Sequence, residues 1–140
     1  MNPPEASLKE AFIRLMESPT GEVLVRVEDF LTAQGIEAYL VGGLVRDVLL
    51  GRETADTDLA VSADALDVAA KVALALGGRY VLLDRENGIG RVVLGDKTCL
   101  DLSTFDEDIE KDLARRDFTI NAMAVNLHRI IEGTADIELI

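Results

Sequence analysis

The sequence predicts a mixed α/β domain that contains a meander of strands. Two observations favour this class. Helical periodicity dominates the chain before Gly78, whereas the segment from Arg79 to Thr104 alternates apolar and polar residues as strands do. Glycine-containing turns then separate the alternating segments. At 140 residues, the chain is long enough to bury one core of its own.

Two helices are predicted ahead of the first strand. Ser7 and Glu10 form a capping box for a helix over about residues 8–17, and Pro19 separates it from a second helix over about 20–34. The elements that follow are a strand at 36–41, a short helix at 44–50, a strand at 56–61 and a helix from Ser62 to the glycines at 77–78.

The second half of the chain is predicted as strands and then helices. Strands at 79–83, 89–94 and 97–104 are joined by a loop containing Asn87-Gly88 and by a tight turn at Gly95-Asp96. A helix at 108–116, a helix from Asp117 through Ala124 and a last strand at 125–131 complete the prediction.

Charge and composition limit the possible partners. The chain carries 26 acidic and 14 basic residues, whereas a surface that binds polynucleotide by itself concentrates Lys and Arg. We therefore expect nucleic-acid binding to come from a local basic patch or from another domain. No apolar run approaches the roughly 20 residues of a membrane span, and the single Cys99 cannot form an internal disulfide, so a cytoplasmic location is expected. Neither Cys99 nor His128, the only histidine, is assigned a role.

Aspartates on two predicted strands form a candidate metal site. Side chains alternate along a strand, so Asp56 and Asp58 share one face, while the other face of their strand is apolar. Asp101 lies on the polar face of the strand at 97–104, which we expect to be an antiparallel neighbour. Three clustered carboxylates favour a hard cation such as magnesium. Alternatively, an Asp-x-Asp pattern arises by chance in so acidic a chain, as it does at 106–108.

Two glycines after the first strand form a candidate anion site. Gly42 and Gly43 stand between a strand and a helix, where backbone N–H groups are uncovered. Arg46, in the first helical turn, can reach the same anion with a forked contact. The alternative is a plain tight turn, with Arg46 paired to Asp47 or Glu53 on the surface. The spacing matches neither a P-loop nor a dinucleotide fingerprint.

A basic helix end supplies further candidates. Asp112 precedes Arg115 and Arg116 by three and four residues, a spacing typical of an ion pair on a helix. One arginine is expected to make that pair. The other can reach a triphosphate or ribose, and Asn121 can donate and accept hydrogen bonds nearby. Apolar residues of this segment are expected in the core rather than stacked on a base: Phe118, Ile120 and Met123.

Three segments of the chain resemble one family. They are Leu40–Gly51 with Asp56-Thr-Asp58, Asp101–Phe105, and Asp112–Ala122. In this order they are similar to the head domain of class II tRNA nucleotidyltransferases and bacterial poly(A) polymerases, which belong to the polymerase-β-like nucleotidyltransferase superfamily. The resemblance implies the polymerase-β-like nucleotidyltransferase fold, a mixed sheet of about five strands flanked by helices.

The resemblance also implies an activity and the residues that carry it. The activity is transfer of a nucleoside monophosphate from ATP or CTP to the 3′ hydroxyl of an RNA such as tRNA, with release of pyrophosphate. By analogy, Asp56 and Asp58 hold two magnesium ions, and Asp101 is the third carboxylate of that site and acts on the attacking hydroxyl. The nucleotide-binding residues implied in the same way are Gly42, Gly43, Arg46, Arg116 and Asn121.

The resemblance predicts the domain organisation as well. Residues 36–140 are expected to form the head domain, and residues 1–35 an N-terminal helical extension. The neck, body and tail that select the base and hold the tRNA in this family are expected outside the chain. Many members carry a longer, partly basic loop where only residues 106–109 intervene here. Two other functions remain open: a nucleotide-binding module without chemistry of its own, and a small-molecule nucleotidyltransferase, which would not require the motif at 115–119.

Overall fold

The structure, a computed structural model, describes residues 5–41, 56–95, 98–105 and 124–132. Its helices are α1 (Glu5–Glu17), α2 (Pro19–Ala33), α3 (Ala65–Leu76) and α4 (Leu127–Glu132). Its strands are β1 (Ala38–Val41), β2 (Asp56–Val61), β3 (Arg79–Asp84), β4 (Ile89–Leu94), β5 (Thr98–Thr104) and β6 (Ala124–Asn126). None of the helices in these ranges has the length and apolar character needed to cross a membrane.

Local sequence signals explain where the longer helices begin and end. The Ser18 hydroxyl accepts a hydrogen bond from the backbone N–H of Gly21, which caps α2, and Pro19 occupies a position in its first turn. Asp64 caps α3 by accepting from the backbone N–H of Leu66 at 3.1 Å. Gly77 ends α3 with a φ of 73°, a left-handed conformation that favours glycine.

The strands form one mixed sheet in the order β3-β4-β5-β2-β1-β6. Every neighbouring pair is antiparallel except β2 and β5, which are parallel. The helix α3 returns the chain so that β3 runs in the direction of β2, and the two hairpins that follow leave β5 in that same direction. The predicted α/β class with a mixed sheet is therefore confirmed, with six described strands. The prediction that β5 runs antiparallel to β2 is wrong.

One hydrophobic core lies between the sheet and the helices. Leu40 of β1, Leu59 of β2 and Leu100 of β5 are fully buried on the side of the sheet that faces the helices. This agrees with the predicted alternation, which assigned the apolar face of β2 to the core. The helices contribute these buried residues to the same core: Phe12 of α1; Leu24, Val27 and Leu31 of α2; Val68 and Val72 of α3; and Leu127 of α4.

The end of the described chain differs from the prediction. A strand is predicted at 125–131, but β6 ends at Asn126 and α4 begins at Leu127. Leu127 and Ile131 are four residues apart, so a helix turns both side chains toward the core, where they pack. Ala124, predicted as the end of a helix, belongs to β6. The helices predicted at 44–50 and 108–116 lie outside the described residues, as do residues 117–123.

Two close contacts hold α3 against the sheet. The Thr104 hydroxyl at the end of β5 donates to the carbonyl oxygen of Ala63 at 2.8 Å and accepts from the backbone N–H of Ala65 at 2.9 Å. At Gly90 of β4, an added Cβ would lie 2.9 Å from the Cβ of Ala69, so glycine permits the close approach of α3. These contacts fix α3 over β4 and β5 on the side opposite the candidate site.

Candidate active site

The side of the sheet that faces away from the helices carries polar residues at its centre. Strand alternation places Asp58 of β2, Arg91 of β4 and Asp101 of β5 on this side, because their neighbours in sequence point into the core. Tyr39 of β1 and Ala60 of β2 share it. We call this side, defined by these five residues, the site face.

Asp58 and Asp101 are direct neighbours on the site face. Their Cα atoms are partners in the register between the parallel strands β2 and β5, and adjacent strands lie about 4.8 Å apart. Both residues are half-buried. Asp56, two residues earlier in β2, is the register partner of Cys99; its side chain lies outside the described part of the structure. The structure thus brings two of the three predicted carboxylates together.

Arg91 extends this pair into a row of three charged residues. It is the register partner of Asp101 on the other side of β5. Its Nε donates to Oδ1 of Asp101 at 2.7 Å, and its Nη2 donates to Oδ2 at 3.0 Å. The side chains are 31% and 14% exposed, so the forked pair is largely shielded from solvent. We call Arg91, Asp101 and Asp58 the charged row.

Arg91 is not among the site residues predicted from the sequence. One signal was available, because Arg91 is the only charged residue of an otherwise apolar strand, Ile89–Leu94. Its partner depends on the length of the connection between β4 and β5. The register pairs Leu94 with Thr98, so three residues lie between the strands. The predicted two-residue turn at Gly95-Asp96 would have shifted that register by one residue.

The two carboxylates of the charged row are suitable ligands for a hard cation. Asp58 and Asp101 offer carboxylate oxygens, the ligands that Mg²⁺ prefers, and they do so from positions that are adjacent in the sheet. Among the side chains that the structure describes, no group of three Asp, Glu, His or Cys residues is close enough to hold a metal ion. The remaining ligand predicted from the sequence is Asp56. Its role, like those of Asp58 and Asp101, stays a prediction.

A small apolar cluster borders the charged row on the site face. Tyr39 and Phe105 meet edge to face, with ring centroids 5.6 Å apart, and pack with Val41 and Ala60. Ala60 is fully buried and lies two residues after Asp58 on the same strand. The carboxylates therefore stand beside a dry surface, where electrostatic interactions are stronger than in water.

The other predicted site residues lie outside the described residues. They are Gly42, Gly43, Arg46, Arg116 and Asn121. The residue before the two glycines, Val41, is described and is the register partner of Asp58. The predicted anion site therefore follows in sequence directly after a neighbour of the charged row. His128, to which no role was assigned, lies with its Nδ1 3.2 Å from Oε1 of Glu28.

Sequence comparisons connect the chain to proteins that act on tRNA. The family model of the poly A polymerase head domain matches residues 38–139. The CC-adding tRNA nucleotidyltransferase of Geobacter sulfurreducens is 45% identical over 94 residues, which are 66% of this chain and 22% of that protein. The CCA-adding enzyme of Lactiplantibacillus plantarum is 36% identical over 123 residues, 77% of this chain and 30% of that protein.

Solved structures of CCA-adding enzymes are similar to this chain in fold as well as in sequence. The Thermotoga maritima CCA-adding enzyme in complex with tRNA matches with a TM-score of 0.72 and 33% identity, over 86% of this chain and 29% of that one. A CCA-adding enzyme with CTP matches with a TM-score of 0.73 and 31% identity, over 86% and 30% of the two chains. The chain thus spans less than a third of each of these four proteins.

Proposed function

Because the chain belongs to the poly A polymerase head-domain family, we propose that it is the catalytic head of an enzyme that adds nucleotides from ATP or CTP to the 3′ hydroxyl of tRNA. The match over residues 38–139 confirms the family that the three motifs predict. The names of the relatives support tRNA as the acceptor, and the complexes with tRNA and CTP support both substrates. The observation in this chain that carries the proposal is the pairing of Asp58 with Asp101.

Each predicted residue has a chemical task in this proposal. Asp58 and Asp101, with Asp56, would hold magnesium, which stabilises the attacking and leaving oxygens of an in-line displacement. Asp101 would also orient the tRNA hydroxyl that attacks the α-phosphate, and pyrophosphate would leave. The triphosphate would be bound by the backbone N–H groups of Gly42 and Gly43 and by Arg46, and the nucleotide would be contacted by Arg116 and Asn121.

The charge of the chain limits its own part in tRNA binding. A net charge of −12 opposes close approach of a phosphate backbone. We therefore propose that residues 36–140 act as the catalytic head, that residues 1–35 are a helical extension of it, and that tRNA is held mainly by regions outside these 140 residues. If tRNA is held in this way, its binding depends strongly on those outside regions.

The test is incorporation of labelled CTP or ATP into a tRNA that lacks its 3′ end, in the presence of Mg²⁺ and at a tRNA concentration high enough to offset the weak tRNA binding expected of this chain. Wild type is expected to incorporate the label, and Asp58→Asn is expected to lose on the order of 100-fold or more, since it removes a metal ligand. Asp67→Asn is the matched control. Asp67 lies on α3, where it pairs with Lys71 at 2.9 Å, and both side chains are more than half exposed.

The outcomes separate the proposed function from the two alternatives. Equal incorporation by wild type and Asp58→Asn would contradict a metal site at the charged row. Calorimetric binding of CTP with Mg²⁺, without incorporation into tRNA, would instead support a nucleotide-binding module. Transfer to a small-molecule acceptor but not to tRNA would support a small-molecule nucleotidyltransferase.

A further inference from the structure

The ion pair between Arg91 and Asp101 lies inside the candidate metal site. We propose that Arg91 is a positioning residue of that site: its guanidinium takes the place of the cation beside Asp101 in the metal-free protein and gives way when the metal binds. This inference rests on the proposed function, because it takes Asp58 and Asp101 as metal ligands. It assigns a function to a residue that lies outside the three motif segments named above.

The order of the strands lets Asp101 face in either of two directions. β5 lies between β4 and β2, so Asp101 has Arg91 as its partner on one side and Asp58 on the other. The two contacts of 2.7 and 3.0 Å use both oxygens of the Asp101 carboxylate. A carboxylate held in this way is turned toward β4. To share a cation with Asp58 it has to present an oxygen toward β2, which breaks or weakens the forked contact.

Electrostatics explains why a removable positive charge is useful at this position. Asp58 and Asp101 are like charges on adjacent strands, and the whole chain carries a net charge of −12. Without a cation, their repulsion opposes the native arrangement of the sheet. Arg91 offsets this repulsion in the metal-free protein. The same charge repels an incoming divalent cation, so Arg91 also weakens metal binding.

A purely structural role for the ion pair makes a different prediction. Cross-strand pairs of opposite charge stabilise many sheets without any ligand. If Arg91 did only this, its removal would lower stability equally with and without metal, and Arg91→Lys, which keeps the positive charge, would leave metal affinity unchanged. Metal affinity is therefore the measurement that separates the two roles.

The experiment measures binding of Mn²⁺ alone to the 140-residue chain, from the paramagnetic resonance signal of free Mn²⁺. Arg91→Gln is expected to bind Mn²⁺ roughly threefold to tenfold more tightly than wild type, because one repelling charge is gone. Without metal, the unfolding midpoint of Arg91→Gln is expected to lie below that of wild type. Added Mn²⁺ is expected to raise the midpoint of Arg91→Gln by more than it raises the midpoint of wild type.

Arg79→Gln is the matched control. Arg79 lies on the site face of β3, two residues from the register partner of Arg91, and its removal should leave Mn²⁺ affinity near the wild-type value.

A second variant covers the case in which Arg91→Gln does not fold. Arg91→Lys keeps the charge but cannot make the forked contact. It is expected to fold and to bind Mn²⁺ more tightly than wild type, by less than Arg91→Gln. Equal affinity in wild type and both variants would overturn the inference. Weaker binding by the variants would overturn it too, because Arg91 would then support the metal.

One further variant distinguishes failure of this inference from failure of the proposed function. If Asp58→Asn abolishes Mn²⁺ binding while the Arg91 variants bind like wild type, the metal site stands and only the inference fails. If wild type and the Arg91 variants all fail to bind Mn²⁺, both fail. Binding by Arg91→Gln when wild type binds too weakly to measure would support the inference directly.

Discussion

Asp101 stands between an aspartate and an arginine in the charged row, and this position lets one side chain serve two states of the protein. In the structure its carboxylate is bound at both oxygens by Arg91. In the metal-bound state that we propose, it faces Asp58. A side chain at the edge of the sheet, with one neighbour only, could not make this exchange.

At the scale of single residues, the sequence predicts which face of a strand a side chain lies on better than it predicts which residue that side chain contacts. Alternation alone places Asp58 and Asp101 on the polar faces of their strands, and the structure agrees. The partner of Arg91 could not be predicted in this way, because it depends on a hairpin register that alternation does not determine. The roles of Gly42 and Arg46 stay predictions, since neither lies among the described residues.

At the scale of elements, the connection between β4 and β5 decides the chemistry of the site. The register pairs Leu94 with Thr98 and, further along, Arg91 with Asp101. A turn of two residues would have paired Arg91 with Leu100, whose side chain is fully buried in the core. A slip of one residue reverses the face of every side chain on the strand. The direction of β5 follows from two kinds of connection: α3 is a crossover of the kind that links parallel strands, so β3 runs with β2, and the two hairpins after β3 return β5 to that direction.

A second feature at this scale is the contact between α2 and α4. Glu28 of α2 is buried, accepts a hydrogen bond from the hydroxyl of Thr32 at 2.9 Å and lies 3.2 Å from His128 of α4. Burial raises the pKa of the Glu28 carboxyl above its ordinary value, an effect that Asp29 adds to and that Thr32 and His128 oppose. A raised pKa in the folded protein means that the neutral carboxyl suits this position better than the charged one.

Replacement of Glu28 is expected to change how stability depends on pH. With a raised pKa, the stabilising contribution of Glu28 is complete at acid pH and is lost as the pH rises through the pKa of the folded state. Glu28→Gln is neutral throughout. As the pH rises from about 4 to about 7, wild type should therefore lose stability relative to Glu28→Gln.

Urea unfolding of both proteins across this pH range checks the prediction. Glu10→Gln is the control, because Glu10 is an exposed glutamate on α1 and its replacement should leave the pH dependence of wild type unchanged. Parallel pH profiles for wild type and Glu28→Gln would show that Glu28 does not carry this dependence. If wild type instead gained stability relative to Glu28→Gln as the pH rises, the predicted direction of the pH dependence would be wrong.

At the scale of the whole molecule, the first two helices and the sheet share one core. Leu24 and Leu31 of α2 are fully buried with Leu40 and Leu59 of the sheet. The family match begins at residue 38, after both helices. The presence of α1 and α2 is predictable from the sequence, but Ser7, predicted to cap α1, lies inside a helix that begins at Glu5. The packing of both helices against the sheet is not predictable, since an amphipathic pattern shows which face is apolar and not what covers it.

A shared core predicts a single cooperative unfolding transition. Leu24→Ala should destabilise the whole chain by about 2–5 kcal/mol, because it removes buried methyl groups and leaves a cavity. Leu74→Ala makes the same chemical change at a position that is 86% exposed on α3, and it should cost less than about 0.5 kcal/mol. Urea unfolding followed by circular dichroism measures both values.

Independent unfolding of the first two helices would appear as a second transition. In that case Leu24→Ala would shift only one of the two transitions, and the sheet would retain its wild-type stability. That result would contradict the shared core.

The most direct test of the account is a crystal structure of the protein with Mn²⁺ and CTP, with the metal located by its anomalous signal. We expect manganese bound to carboxylate oxygens of both Asp58 and Asp101 at roughly 2.0–2.2 Å, with the forked contact to Arg91 opened. Manganese bound elsewhere on the chain, with Asp101 still held at both oxygens by Arg91, would contradict it.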